Sequence, residues 1–163
     1  MNQNYFNNFK KCFLIAEIGV NHNGDMNLAK EMIDAAQESG ADAVKFQTFK
    51  AETLVSQGTP KVKYQESTTS SEESHFEMIK SLELSYDNHF LLQDYCVKKD
   101  IKFLSTPYDV ECARFLNEEL NVEVFKTASA DLVDLSLHDY IASTGKPSIV
   151  SVGMASLGEI EEN

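Results

Sequence analysis

Short apolar runs alternate with amphipathic segments along the chain. The apolar runs predict five strands, at 12–18, 43–49, 101–105, 122–126 and 148–152. The segments between them carry apolar residues at the three- and four-residue spacing of a helix face. Because strands that alternate with helices form βα units, the pattern predicts a parallel sheet.

Amphipathic segments predict the helices. They cover residues 25–39, 72–82, 86–98, 109–120 and 136–143, and a further helix begins at 156. Asp25 is expected to cap the first helix, because its carboxylate can accept from the free amide groups of the first turn. The helix at 86–98 is expected to pack through Phe90, Leu91, Tyr95 and Val97. The polar stretch 50–74 is too irregular for an element, and loops of this length often cover a binding site.

Two architectures fit five strands. A closed (β/α)8 barrel usually needs about 250 residues, so this chain would supply about five of its βα units. A complete doubly wound sheet of five strands suits the length of 163 residues better. Length alone therefore favours the doubly wound sheet, and the placement of polar residues has to be weighed against it.

Two lysines, Lys45 and Lys126, lie inside runs that otherwise resemble buried strands. A lone ammonium in an apolar strand is costly unless an anion meets it, so each lysine predicts a partner. Lys45 and Gln47 are two residues apart and share one face of their strand, while Val44 and Phe46 face the helices. The partner of Lys45 is either an anionic ligand or a carboxylate of the protein such as Glu17.

Polar residues also gather where each predicted strand ends. They are Glu17, Lys45, Gln47, Thr106, Lys126, Ser129, Asp131 and Ser151. A single serine or threonine at such a position usually caps a turn. All five strand ends carry such residues, however, and barrel enzymes place their chemistry at the carboxyl ends of strands. This joint pattern favours a TIM-barrel type of fold with a site at that end.

Composition and charge limit the classes of partner and the compartment expected for this chain. The formal charge of −12 disfavours nucleic acid and anionic membrane surfaces, whose phosphates the chain would repel. No apolar run reaches the length of about 18 residues that spans a bilayer. Three cysteines without close spacing support neither a disulfide framework nor a zinc knuckle, so a reducing, cytoplasmic compartment is expected. Residues 1–11 are expected to be a flexible leader, and 12–163 one domain.

Five ordered motifs resemble the N-acylneuraminate (sialic acid) synthase family. They are IAEIGVNHNG (15–24), AVKFQ (43–47), FLSTP (103–107), FKTAS (125–129) and SVGM (151–154). The resemblance implies condensation of phosphoenolpyruvate with an N-acylated mannosamine or related amino sugar, with release of phosphate. It also implies a TIM-barrel catalytic domain of eight βα units followed by an antifreeze-like domain, of which this chain would hold the first part.

The resemblance assigns roles to the strand-end residues. Those matching positions that hold the carboxylate and phosphate of phosphoenolpyruvate are Lys45, Thr106, Lys126, Ser129 and Ser151. Glu17 and Asp131 match the two acidic positions beside the reacting enol, and Gln47 matches a residue near the sugar. The chain has Ser129-Ala130-Asp131 where the family commonly has Ser-Gly-Glu, which shortens this carboxylate by one methylene.

The resemblance further implies a divalent metal, Mn or Mg, and a domain-swapped homodimer. The family's metal ligands are histidines expected after Asn163, so no metal site is predicted within this chain. A surface position is expected for His75, His89 and His138, and a turn role for His22. The 163 residues alone are expected to be inactive, and their expected partner is a second copy in a homodimer or a C-terminal half.

Two further hypotheses remain open. A Schiff-base aldolase would use Lys45 or Lys126 as its nucleophile. A non-catalytic half-barrel module would bind an anionic ligand or assemble with a partner without turnover.

Overall fold

The protein is described by a computed structural model that covers residues 12–55 and 74–162. The strands are β1 (Ile15–Gly19), β2 (Ala43–Thr48), β3 (Lys102–Pro107), β4 (Phe125–Thr127) and β5 (Ser148–Val150). The helices are α1 (Met26–Glu38), α2 (Ala51–Leu54), α3 (His75–Leu82), α4 (Tyr86–Lys98), α5 (Val110–Arg114), α6 (Leu135–Ser143) and α7 (Leu157–Glu162). A π-helical turn (Phe115–Glu119) extends α5, and a 3₁₀ turn (Ser129–Val133) follows β4.

All strand pairs in the described part of the chain are parallel, which confirms the predicted α/β class. The order is β1-β2-β3 in one sheet and β4-β5 in a second, with β3 packed beside β4. A doubly wound sheet reverses its winding direction at an internal strand. The strands here follow one another in chain order, which favours the barrel type over the doubly wound alternative.

The core explains why β2 carries both apolar and polar residues. Val44 and Phe46 are fully buried and pack against Ile33 of α1 and Leu92 of α4. Lys45 and Gln47 lie on the opposite face, as their spacing predicts, because successive side chains of a strand alternate between its two faces. The helices thus cover one face of the sheet and leave the other to the polar residues.

Strand β4 is shorter than predicted. It begins at Phe125, whose amide donates to Pro147, and not at Val122. The amide of Val122 instead donates to the carbonyl of Leu116, so this residue belongs to the end of the preceding helical turn. Val122 is nevertheless 3% exposed, which is why it resembled a strand residue. Burial alone does not distinguish the two kinds of backbone pairing.

The cap of α1 is confirmed, since the carboxylate of Asp25 accepts from the amides of Asn27 and Leu28. The predicted packing face of α4 is wrong. Three of its four residues, Phe90, Leu91 and Val97, are exposed, whereas His89, Leu92 and Cys96 are buried. The buried residues are also three and four positions apart. One of them is a histidine, which a pattern of apolar residues does not include, so the sequence did not indicate this face.

The described start of the polar stretch after β2 forms a helix that was not predicted. Residues 51–54 form the short helix α2, and Glu83 accepts from the amide of Ala51 and from Lys50. Most of the predicted covering loop, residues 56–73, lies outside the described part of the chain, as does the predicted leader at 1–11. The start of the helix predicted at 72 also lies there, and α3 is described from His75 onward.

Candidate functional site

Side chains from all five strand ends meet in one cavity of about 380 Å³. Seven of the eight residues predicted for the site line it: Glu17, Lys45, Gln47, Thr106, Lys126, Ser129 and Ser151. Because both parallel sheets present their carboxyl ends here, residues that are distant in sequence come together. Seven residues chosen from the sequence thus line one cavity, and their roles toward a substrate stay predictions.

Lys45 lies at the centre of the first sheet and is 6% exposed. Its ammonium is 2.9 Å from Oε2 of Glu17 and donates to Oγ1 of Thr106 over 2.9 Å. Glu17 and Lys45 are register partners on β1 and β2, so the pair follows from the strand alignment. The salt bridge that the sequence left as one alternative is present, and it lies in the wall of the cavity.

Lys126 enters the same cavity from β4. It is half-buried, and its ammonium donates to Oγ of Ser151 and to the carbonyl of Thr127. Burial lowers the pKa of Lys126, the positive charge of Lys45 lowers it further, and Glu17 opposes both effects. In the described part of the chain no carboxylate forms a salt bridge with Lys126, so an anion placed here would stabilise its charged form.

The cavity has the opposite sign of charge from the chain. Among its described lining residues are two ammonium groups, Lys45 and Lys126, and one carboxylate, Glu17. The remaining polar groups are hydroxyls and amides, which donate hydrogen bonds to oxyanions. In a chain whose formal charge is −12, a cavity with one excess positive charge is suited to an anionic ligand.

Gly19 was not predicted as part of the site. Its φ of +58° is a left-handed conformation that favours glycine, and a Cβ built there would lie 3.1 Å from Oε1 of Glu17 and 3.6 Å from Nε2 of Gln47. The glycine lets the turn after β1 approach these two polar groups. Asn21 and Tyr108 line the cavity as well. The only feature of the sequence that could have indicated Asn21 and Tyr108 is that each lies within two residues of the end of a strand.

Asp131 is the predicted residue that does not line the cavity. It lies in the 3₁₀ turn after β4, and its Oδ2 is buried without a hydrogen-bond partner. Burial raises the pKa of Asp131, Asp134 raises it further, and His138 opposes the shift. A catalytic role for Asp131 stays a prediction.

The surface position expected for His89 is wrong, because this side chain is 0% exposed. Its ring is within 2.8 Å of both Thr48 Oγ1 and the carbonyl of Ser85. His22 is also buried and accepts from the amide of Gly24 over 3.0 Å, which agrees with a turn role. His138 is half-buried, with Nε2 3.1 Å from the carbonyl of Asp131, and His75 is half-buried on α3.

Across residues 12–55 and 74–162, no group of three or more histidine, cysteine, aspartate and glutamate side chains could hold a metal ion. At the cavity the one acidic side chain, Glu17, is engaged with Lys45. The described residues thus do not fit the divalent metal that the resemblance implies. The three cysteines are free thiols. No helix in these ranges combines the length and apolarity needed to cross a bilayer.

Comparison with known proteins shows to which family this chain belongs. The sequence profile of the NeuB family matches residues 32–163. The chain belongs to the NeuB family. It is 48% identical to the N,N'-diacetyllegionaminic acid synthase of Campylobacter jejuni, over 94% of this chain and 46% of that protein. It is 46% identical to the enzyme of the same name from Legionella pneumophila, over 91% and 42%. This NeuB-family chain spans about half the length of the relatives it matches.

A comparison with solved structures supports the same family. The N-acetylneuraminic acid (sialic acid) synthetase of Leptospira borgpetersenii, in complex with citrate, superposes with a TM-score of 0.78 at 36% identity. The superposition covers 92% of this chain and 47% of that one. The chain therefore has a TIM-barrel-like α/β fold with parallel sheets. Its description as about five of eight βα units stays a prediction.

Proposed function

We propose that the protein containing this chain condenses phosphoenolpyruvate with an N-acylated amino sugar and releases inorganic phosphate. The observation that carries the proposal is the cavity in which Lys45 and Lys126 bring two ammonium groups together at the strand ends. Two relatives, each named N,N'-diacetyllegionaminic acid synthase, support this class of reaction.

Phosphoenolpyruvate has a carboxylate and a phosphate close together, and the cavity offers matching groups. Lys45 and Lys126 supply charge, and the hydroxyls of Thr106, Ser129 and Ser151 supply directional hydrogen bonds. Lys126 lacks a carboxylate partner among the described residues, so it is the group expected to gain most from the ligand. Gln47 lines the same cavity and is expected to contact the sugar.

In the proposed reaction, the methylene carbon of the enol forms a bond with the aldehyde carbon of the open-chain sugar. The π bond of the aldehyde breaks, and its oxygen takes a proton to become a hydroxyl. Water then adds to the resulting cationic carbon, and phosphate leaves from the tetrahedral intermediate with its bonding electron pair. Glu17 would stabilise the cationic centre or take the proton of the water. Asp131 is proposed as the second acidic group.

The sugar is proposed to carry two N-acetyl groups. The two relatives that are 48% and 46% identical are both named N,N'-diacetyllegionaminic acid synthase, whereas N-acetylneuraminate-9-phosphate synthases are 36% identical. Residues 1–163 alone are proposed to be inactive, because β1 and β5 each pair along one edge only in the described chain. A homodimer, or assembly with further barrel strands, is proposed to complete the site.

Phosphate release tests the proposal. The protein purified from its native source would be incubated with phosphoenolpyruvate and either a diacetylated amino sugar or N-acetylmannosamine, with manganese present. We expect phosphate release that needs a sugar and is faster with the diacetylated one. Release without any sugar, or a Lys126→Met variant with unchanged turnover, would contradict the proposal. Residues 1–163 assayed alone are expected to show no turnover.

A Schiff-base aldolase is the second candidate, and the lowered pKa of Lys126 favours it. A lysine becomes nucleophilic when burial and a neighbouring cation stabilise its neutral form, and both causes act on Lys126. Treatment with pyruvate and borohydride would leave a stable adduct on Lys126 that mass spectrometry detects. The condensation mechanism predicts no adduct.

A further inference from the structure

Behind the cavity, on the opposite face of the same strand segments, lies a buried chain of hydrogen bonds. Oγ of Ser105 is 2.6 Å from Oγ1 of Thr48, which is 2.8 Å from Nε2 of His89. Nδ1 of His89 is 2.8 Å from the carbonyl of Ser85. His89, Thr48 and Ser105 are at most 1% exposed, so these hydrogen bonds lie inside the core.

The direction of this chain follows from its last acceptor. A carbonyl can only accept, so Nδ1 of His89 carries a proton and, in a neutral ring, Nε2 is bare. Thr48 must then donate its hydroxyl proton to Nε2, and Ser105 must donate to Thr48. Burial lowers the pKa of His89, and the charges of Lys50 and His22 act in the same direction, against the carbonyls of Ser85 and Gln47. Burial thus favours the neutral form of the ring.

The network holds three elements at the point where the cavity is built. Thr48 is next to Gln47 on β2, Ser105 is next to Thr106 on β3, and His89 comes from α4. Gln47 and Thr106 are register partners across the two strands. Because side chains of a strand alternate between its faces, a hydroxyl fixed behind the sheet also fixes its neighbour in front. Thr106 in turn accepts from Lys45.

We propose that His89 is a positioning residue, whose neutral imidazole acts through Thr48 and Ser105 to hold the ends of β2 and β3 so that Gln47 and Thr106 face the ligand correctly. It does not touch the ligand. The aromatic rings of Phe103 and Phe115, at 6.5 and 5.5 Å between centroids, hold the imidazole edge-on and restrict its rotation. For its ligand, phosphoenolpyruvate, the inference rests on the proposed function.

The test compares substitutions that remove the acceptor with one that keeps it. His89→Leu removes it, Thr48→Val removes the donor at nearly equal volume, and His89→Gln places an amide oxygen within reach of Thr48. We expect His89→Leu and Thr48→Val each to weaken phosphoenolpyruvate binding about tenfold, the upper scale of one hydrogen bond. Their double variant should be no weaker than either one, and His89→Gln should restore most of the affinity.

Loss of stability alone is controlled by Leu92→Val, which shortens a fully buried side chain of the same helix. This variant should lower the melting temperature without changing the affinity. If it weakens binding as much as His89→Leu does, or if the effects of His89→Leu and Thr48→Val add, the positioning role is overturned. Unchanged binding in His89→Leu would overturn it as well.

A second readout separates this inference from the proposed function. The methyl NMR signal of Thr106, assigned through a Thr106→Ser variant, reports the front of β3 without any ligand. It should shift in His89→Leu and Thr48→Val and return in His89→Gln. If the unsubstituted protein does not bind phosphoenolpyruvate, the proposed function fails, and the Thr106 signal alone decides the positioning role. An unmoved signal contradicts it.

Discussion

The carboxylate of Glu17 lies 2.9 Å from the ammonium of Lys45, across neighbouring strands whose ends form the cavity. Counted over the side-chain atoms alone, Glu17 is 54% exposed and Lys45 is 8% exposed. The carboxylate of Glu17 offsets the positive charge of the buried Lys45 ammonium, and Glu17 is the more exposed partner of the pair. The pair thus both stabilises β1 against β2 and limits the positive charge offered to an anion.

Glu17→Gln separates these two effects. The substitution removes a negative charge from the cavity, so affinity for phosphoenolpyruvate should increase by a few-fold. Turnover should fall by about 100-fold or more if Glu17 acts on the water or the cationic centre. Calorimetry and phosphate release measure the two quantities. A variant with weaker binding and normal turnover would assign Glu17 a structural role only.

Binding should depend on pH through Lys126. The pKa of this lysine is below its ordinary value in the free protein, and a bound anion favours its charged form. Affinity for phosphoenolpyruvate should therefore fall as pH rises from 7 toward the ordinary lysine pKa of 10.5. The reason is that Lys126 loses its proton at a lower pH in the free protein than in the complex. In Lys126→Met, the slope over this range should become flatter. A slope that Lys126→Met leaves unaltered would point to another group.

Gly19→Ala should damage the site by two routes. A left-handed backbone costs an alanine about 1 kcal/mol, and its methyl would push against Glu17. Gly40→Ala is the matched control, because Gly40 also has a positive φ, of +80°, but nothing lies within 4 Å of its added Cβ. Both variants should unfold at lower denaturant concentration, and only Gly19→Ala should change ligand affinity. Equal affinity in both would mean that Gly19 serves the turn alone.

Asp131→Asn should stabilise the protein at neutral pH. The raised pKa of Asp131 means that its charged form is disfavoured in the folded state, so its contribution to stability improves as pH falls through the folded pKa. Removing the charge should raise the free energy of unfolding by up to about 1 kcal/mol at pH 7, since burying a neutral amide costs less than burying a carboxylate. Urea unfolding at pH 7 and pH 5 measures this, and the gain should shrink at the lower pH. A stability loss at pH 7 would show that Asp131 has a partner it needs.

The sequence predicted those parts of the site that depend on strand periodicity. Lys45 and Gln47 share a face because they are two residues apart on a strand, and this holds for any parallel barrel or sheet. The position of Asp131 depends instead on the turn after β4. A 3₁₀ turn directs successive side chains at intervals of about 120°, and the sequence does not specify where that turn begins.

Buried histidines were the other feature that the sequence pattern did not predict. A pattern of polar and apolar residues counts His89 as polar, yet two ring contacts of 2.8 Å satisfy it inside the core. Its partners are far away along the chain, 41 residues in the case of Thr48, so no local signal marks them. The packing face of α4 was misjudged for the same reason.

The binding of phosphoenolpyruvate, measured by calorimetry at pH 7, tests the account most directly. The unsubstituted protein should bind it, Lys126→Met should bind it about 10- to 100-fold more weakly, and Lys98→Met, at an exposed lysine of α4, should bind as the unsubstituted protein does. An unsubstituted protein that does not bind the anion, or equal affinity in both lysine variants, would contradict the claim that this cavity is an anion site.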